Sequence, residues 1–146
     1  MFRGNHPTRV DEKGRLKVPA EFKRVIDEKY GLQFYITSLD GKVAQIYPSE
    51  EWERIEQKLA ALSTFNPTKK KFLDRVNYYG QMVEMDGQGR ILIPSVLRES
   101  AEMKGEVDVS GNLTFLEIWN HARFLEQMNR NPMTAEDEKV LSDLEL

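Results

Sequence analysis

Two short stretches, VDEKGRLKVP at 10–19 and MDGQGRILIP at 85–94, place the same three residue types at the same spacing: Asp11, Gly14 and Arg15, then Asp86, Gly89 and Arg90. An aspartate at a strand end accepts hydrogen bonds from backbone N–H groups two or three residues on, while glycine takes the left-handed conformation that closes the turn. The arginine, four residues after the aspartate, starts the return strand within reach of the carboxylate. Turn chemistry by itself accounts for Asp11, Asp86, Gly14, Gly89 and for the prolines Pro19 and Pro94 that follow. The arginines ask for more, because an exposed ion pair contributes only about 0–1 kcal/mol, too little to require the same pair twice for stability. A planar guanidinium held by a carboxylate is suited to reading phosphates or guanine edges. The residues alone leave both roles open.

Other chemistries find little support. The chain has no cysteine, which excludes disulfides, thiolate chemistry and zinc sites built on cysteine. Its two histidines, His6 and His121, fall in different halves without a partner resembling a metal motif, and His121 reads as a surface polar residue in the first turn of a helix. No Ser-His-Asp set, glycine-rich phosphate loop or metal constellation appears, so the expectation is a protein that is not an enzyme and needs no cofactor. No apolar run approaches a membrane span, and the opening MFRGNHPTRV lacks the apolar core of a secretory signal, so a soluble cytoplasmic protein is expected.

The net charge of −3 argues mildly against a nucleic-acid partner. Its distribution points the other way. Residues 1–24 carry seven cations against three anions, a local balance of +4, whereas residues 131–146 carry five anions against Lys139 alone, a balance of −4. The run Lys69–Lys71 can touch phosphate, although such a run more commonly makes a solvated helix face.

The elements that must position the two turns repeat as well. At an offset of 75, Asp11 meets Asp86, Arg15 meets Arg90, Phe22 meets Leu97 and Lys23 meets Arg98; farther on the offset falls to 72, so that Tyr47 meets Trp119 and Trp52 meets Phe124. Each half reads strand, glycine turn, strand, helix, hairpin, helix. Proline ends the strands RLKVP and RILIP and suits a helix start. Asp40-Gly41 and Gly111-Asn112 mark the hairpins, and Ser49 and Asn120 the N-caps of the closing helices. Between the halves, Asn66-Pro67 breaks the chain before a helix capped by Thr68, with Phe72, Leu73 and Val76 on one face. Half a chain has too few strands to bury both faces of a sheet, so the halves are expected to interleave into one pseudo-symmetric barrel. The four matched aromatics read as core or subunit contacts. The tail has a cap-like Thr134 and apolar Val140, Leu141 and Leu144, and reads either as a short docking helix or as a solvated end.

The doubled DEKGR and DGQGR turns, the opening MFRG, the contexts GRLKVP and GRILIP and the segment YPSEEWE resemble the MraZ family of bacterial transcriptional regulators over nearly the whole chain. The resemblance implies an α+β fold, a pseudo-two-fold swapped-hairpin, AbrB-like β-barrel made from two tandem repeats and decorated by helices. It divides the chain into a first repeat at 1–62, a helical connector at 63–79, a second repeat at 80–130 and an acidic tail at 131–146. It further implies a ring-shaped homo-oligomer, nucleoid-associated in the cytoplasm, that binds double-stranded DNA at direct repeats upstream of its own operon, the cluster for cell division and cell-wall synthesis. Carried over by position, the motif residues are Asp11 and Arg15, Asp86 and Arg90. Because Lys13 and Lys17 flank Arg15 where the second turn has Gln88 and Leu92, the first turn is expected to be the DNA face, joined by Arg3 and Arg9 and by His6. Arg90 is left with three roles: bracing the barrel, lining an interface, or making a second DNA contact. The alternative is an AbrB-like protein-interaction or antitoxin-type module without operator-specific DNA binding. Against it, such antitoxins follow one barrel half with a disordered toxin-binding tail, whereas this chain has a second half.

Overall fold

The glycine turns and the prolines after them set the local geometry of both halves in a computed structural model that describes residues 1–146. In the first half β1 (Asn5–Val10) leads through the turn to the three-residue β2 (Arg15–Lys17), then α1 (Ala20–Lys29), β3 (Gln33–Thr37), β4 (Ala44–Pro48) and α2 (Ser49–Ala60). The connector forms α3 (Pro67–Tyr78). The second half repeats the order with β5 (Gln81–Glu84), β6 (Arg90–Leu92), α4 (Ser95–Ser100), β7 (Gly105–Asn112), β8 (Phe115–Asn120) and α5 (His121–Arg130), and α6 (Ala135–Asp143) follows. Pro19 and Pro94 sit at matching N-cap positions, with φ −55 and ψ 142 against φ −55 and ψ 140.

All eight strands form one antiparallel sheet in the order β5-β3-β4-β8-β7-β1-β2-β6, and its two edge strands, β5 and β6, lie against each other in a nearly closed barrel. Four of the seven ladders, β1 with β7, β2 with β6, β3 with β5 and β4 with β8, join the two halves, so neither half closes a sheet without the other. The registers disclose a pseudo-two-fold axis. In β2/β6 the pairs Arg15↔Leu92 and Lys17↔Arg90 exchange about Leu16↔Ile91, and in β4/β8 Ala44↔Ile118 and Ile46↔Leu116 exchange about Gln45↔Glu117. The interior is shared in the same way: Leu16 with Ile91, Val18 with Ile93 and Phe22 with Leu97 enter one apolar cluster from matched positions. Each such side chain contributes about 1.5–3 kcal/mol on burial. A second cluster of Tyr47, Trp52 and Val76, flanked by Phe72 and Leu73, holds α3 against the barrel. The Val76 carbonyl there accepts hydrogen bonds from the hydroxyls of Tyr35 (2.9 Å) and Thr37 (2.7 Å).

Several local expectations are corrected. Ser49 does not cap α2; Pro48 holds that position without a side-chain bond. Asn66, not Thr68, caps α3, its side-chain oxygen accepting from the backbone N–H of Thr68 and Lys69. The tip of the second hairpin lies at Leu113-Thr114, past the expected Gly111-Asn112, and Leu113 takes the left-handed φ of 66. Gly111 serves a different contact: a Cβ there would stand 2.4 Å from the Arg3 nitrogen and 2.5 Å from the Phe2 carbonyl carbon. His121 is exposed in the first turn of α5 as expected, and its Nδ1 in addition lies 2.6 Å from a carboxylate oxygen of the buried Asp108, whose other oxygen accepts from Asn5 Nδ2 at 3.0 Å. Asn120 does cap α5. Trp119 and Phe124 stack on each other at 5.2 Å outside the core clusters. In the tail, Thr134 caps α6 in a reciprocal box with Asp137, and Val140, Leu141 and Leu144 stay exposed.

Candidate nucleic-acid interface

The two turns are superposable in their bonding. In the first, one Asp11 oxygen accepts from the backbone N–H of Lys13 and of Arg15, both at 2.9 Å, and the other accepts from Arg15 Nε at 2.9 Å. In the second, Asp86 accepts from the N–H of Gln88 and of Arg90, both at 2.9 Å, and from Arg90 Nε at 2.8 Å. Gly14 and Gly89 close the turns with φ of 85 and 74. The backbone N–H of Arg15 holds the Asp11 carboxyl below its ordinary value, the Arg15 guanidinium adding to it, and Arg90 does the same for Asp86. Each carboxylate therefore stays ionised and grips its guanidinium by the Nε edge. The two Nη groups remain at the free end, which is the geometry a bidentate acceptor requires.

Strand pairing brings the turns together. Leu16 and Ile91 point into the core, so their neighbours along the short β2/β6 ribbon point out: Arg15 opposite Leu92 and Lys17 opposite Arg90. Arg15 and Arg90 stand diagonally on this tile, about 7 Å apart along the strands and one strand spacing of about 4.8 Å across. A two-stranded ribbon of this kind fits the major groove, about 12 Å wide, and an exposed leucine beside an arginine supplies an apolar surface of the sort that contacts a thymine methyl. Lys17 is not free: its Nζ donates to the Gln88 carbonyl at 2.7 Å and so ties the first strand to the second turn.

The remaining expected residues fall at differing distances from the tile. The Lys13 side chain projects from the first turn. Arg9, only loosely paired with Glu106 at 3.8 Å, lines a groove of about 700 Å³ together with Asp11, Glu12 and Arg98. Arg3 sits at the opposite end of β1, roughly 20 Å along the chain from Val10, where Phe2 bridges to Leu113. His6 packs edge-on against Phe22 at 5.0 Å and lies 3.4 Å from Glu21, away from the turns. In the lysine run, Lys69 donates to the Leu62 carbonyl and Lys70 pairs with Asp74. One close neighbour escaped the sequence reading: Arg98 lies against Gly14, and its repeat partner Lys23 lies against Gly89. The repeat had aligned these two cations, but nothing local to either residue announces that each covers the other half's turn.

Comparison with known proteins bears on this arrangement. A family profile described as "MraZ protein, putative antitoxin-like" matches residues 1–75 and 80–143. A protein of Acidobacterium capsulatum is 67% identical over 146 residues, covering 100% of both chains. One of Koribacter versatilis is 61% identical over 145 residues, covering 99% of each. A more distant relative from Haemophilus influenzae is 34% identical over 151 residues, with 100% of both chains covered. All three carry the name "Transcriptional regulator MraZ", which describes a regulator and not an enzyme. No helix of the chain is long and apolar enough to cross a membrane.

Proposed function

The chain belongs to the MraZ family of transcriptional regulators, and from that premise we propose that it binds double-stranded DNA sequence-specifically through the outward face of the β2/β6 ribbon. The observation that carries this reading is the pair of guanidinium groups, Arg15 and Arg90, each held by an aspartate with its Nη end free on one exposed tile. Arg15 and Arg90 read base edges in the major groove, Leu92 offers an apolar contact, and Lys13, Lys17 and Arg9 sit near backbone phosphates, which position the tile without specifying sequence. Arg3 lies too far along β1 to share this footprint. The first turn keeps Lys13 beside Arg15, while Lys17 stands across the ribbon beside Arg90 and the second turn, so both turns read together.

A tile with so few base contacts binds weakly alone. A ring of subunits on short direct repeats makes each contact after the first effectively intramolecular, and head-to-tail symmetry suits repeats that point one way. The proposed target is accordingly a set of direct repeats upstream of the protein's own gene, in the operon for division and cell-wall synthesis, with the protein nucleoid-associated in the cytoplasm.

Footprinting on that upstream DNA tests the target, and regularly spaced protected repeats are expected. Arg15→Ala and Arg90→Ala each remove a bidentate contact of about 1–3 kcal/mol per subunit, or about 5- to 150-fold in affinity for the specific site. Unchanged operator preference in the folded double variant refutes the tile as reader. Retained partner-protein binding together with an absence of any DNA footprint favours the protein-interaction alternative.

A further inference from the structure

The two turns match to within 0.1 Å in the bonds that hold them, but the cations that cover them do not match. A Cβ on Gly14 would stand 1.6 Å from Arg98 Nη1 and 2.2 Å from its Cζ, so the guanidinium of α4 occupies the space that glycine leaves open. On the second turn the Lys23 side chain does the equivalent more loosely, its Cδ and Cε 3.3 and 3.4 Å from the Gly89 position. Lys23 is neutralised within its own helix by Asp27 at 2.9 Å. Arg98 makes no ion pair or side-chain hydrogen bond.

The reason is readable from the repeat. The residue matching Asp27 at the 75-residue offset is Glu102. Helix α4 ends at Ser100, however, and Glu102 turns to the left-handed φ of 50. There it pairs with Arg123 at 3.1 Å. The shorter helix and the competing arginine strip Arg98 of the counter-charge that its twin keeps. What results is a half-buried, oriented and unneutralised guanidinium beside the first turn, one residue from Arg15.

We propose that Arg98 is a DNA phosphate contact supplied by the second half to the first turn, seated through Gly14, which gives the tile one more cation on one side than on the other. This rests on the reading of the β2/β6 face as the DNA surface. A phosphate is the fitting ligand because the guanidinium presents two parallel donors to a tetrahedral anion without meeting a base. Its packing against glycine fixes the side chain before binding, which lowers the ordering cost.

The test is the salt dependence of binding to an operator duplex and to an unrelated duplex of equal length, for the full chain and three variants. Loss of one phosphate contact lowers the slope of log affinity against log salt by about 0.9 per engaged subunit. Arg98→Gln is expected to show that loss on both duplexes with their affinity ratio unchanged, Arg98→Lys to restore the slope, and Lys23→Gln to leave it intact. An unaltered slope in Arg98→Gln, with melting temperature preserved or lowered, makes the residue a packing group and overturns the proposal. An equal loss in Lys23→Gln overturns the asymmetry. A flat slope in the unsubstituted protein on both duplexes refutes the DNA surface itself, which separates that failure from this one.

Discussion

Asp11→Asn separates two jobs that the aspartate performs at once. The oxygen that accepts from the N–H of Lys13 and Arg15 can be replaced by the asparagine carbonyl, so the turn keeps both 2.9 Å bonds. The oxygen that accepts from Arg15 Nε becomes an NH2 group, and donor faces donor. The fold is therefore expected to survive, since an exposed ion pair is worth about 0–1 kcal/mol, while Arg15 is released from its holder. Ordering a freed side chain on binding costs about 0.5–1.5 kcal/mol, or about 2- to 13-fold in specific affinity per subunit. The same substitution removes a negative charge beside the phosphates and so raises affinity for any duplex. The quantity to measure is thus the ratio of operator to unrelated-duplex affinity, by fluorescence anisotropy at two salt concentrations, with a melting curve as control. A falling ratio with an intact melting temperature is expected. A ratio that holds or rises in the folded variant refutes the argument that the carboxylate aims the guanidinium. Asp11→Ala, which also loses the two backbone bonds, should lower the melting temperature where Asn does not.

Gly111→Ala places a methyl group against the backbone of Phe2 and Arg3, which cannot yield as a side chain can; overpacking of about 1–3 kcal/mol is expected, read as a lower urea midpoint, and an unchanged midpoint removes the close-approach argument. Asp11 and Asp86 are both held below 3.8, chiefly by the N–H groups of Arg15 and Arg90. A lowered folded-state value means a stabilising contribution present above the unfolded value and lost as pH falls through the folded one. Carboxylate NMR titration should accordingly find both midpoints under 3.8, and a midpoint at or above it for either contradicts the bonding described. Tyr30 and Tyr47 are pushed up to about 12, burial being the first cause for both and the hydroxyl bond to Glu51 the second for Tyr30. A raised value works in the opposite sense, its stabilisation being lost as pH climbs from 10 through 12. Tyrosinate absorbance should show a late-ionising component from Tyr30 and Tyr47, joined by Tyr35, which burial also raises, and a titration without a late component excludes it.

The order of elements was legible because glycine and proline punctuate it and because each half could be checked against the other. What the sequence reading misplaced depends on partners far along the chain. Gly111 looks like a hairpin tip until the N-terminal segment, Phe2 and Arg3, is laid across it. His121 is the exposed helix-start residue that the sequence suggests, and only its partner, the buried Asp108 thirteen residues earlier, was not legible. Cap residues failed for a local reason: proline at position 48 already has the extended ψ of 141 that an N-cap needs, and the Asn66 side chain reaches two N–H groups ahead of Thr68. The two motif turns were legible as turns. Their shared face was not, because it follows from the β2/β6 register, which pairs residues 73 to 77 positions apart.

That register also bears on how a pseudo-symmetric protein can recognise a directional site. The backbone of the tile is two-fold symmetric about Leu16↔Ile91, and a tile symmetric in its side chains as well would read the same bases in either orientation, which suits a palindrome. Besides the exposed Glu12, whose twin is Gly87, three substitutions across the axis remove that equivalence. Lys17 faces out where its twin is Leu92, Lys13 where its twin is Gln88, and an unpaired Arg98 covers Gly14 where a neutralised Lys23 covers Gly89. Lys13 and Arg98 stand at the first turn, where the apolar contact, Leu92, lies opposite Arg15, whereas Lys17 stands at the other end beside Arg90 and the second turn. A half-turn of the subunit on the DNA would then bring an unlike set of groups to each base and phosphate. On the proposed DNA-binding reading, that polarity would favour like-oriented subunits on like-oriented repeats. Restoring symmetry with Lys13→Gln, Lys17→Leu and Arg98→Lys should therefore weaken the preference for direct over inverted repeats of the same half-site, and an undiminished preference would place the source of direction in the assembly of subunits and not in the tile.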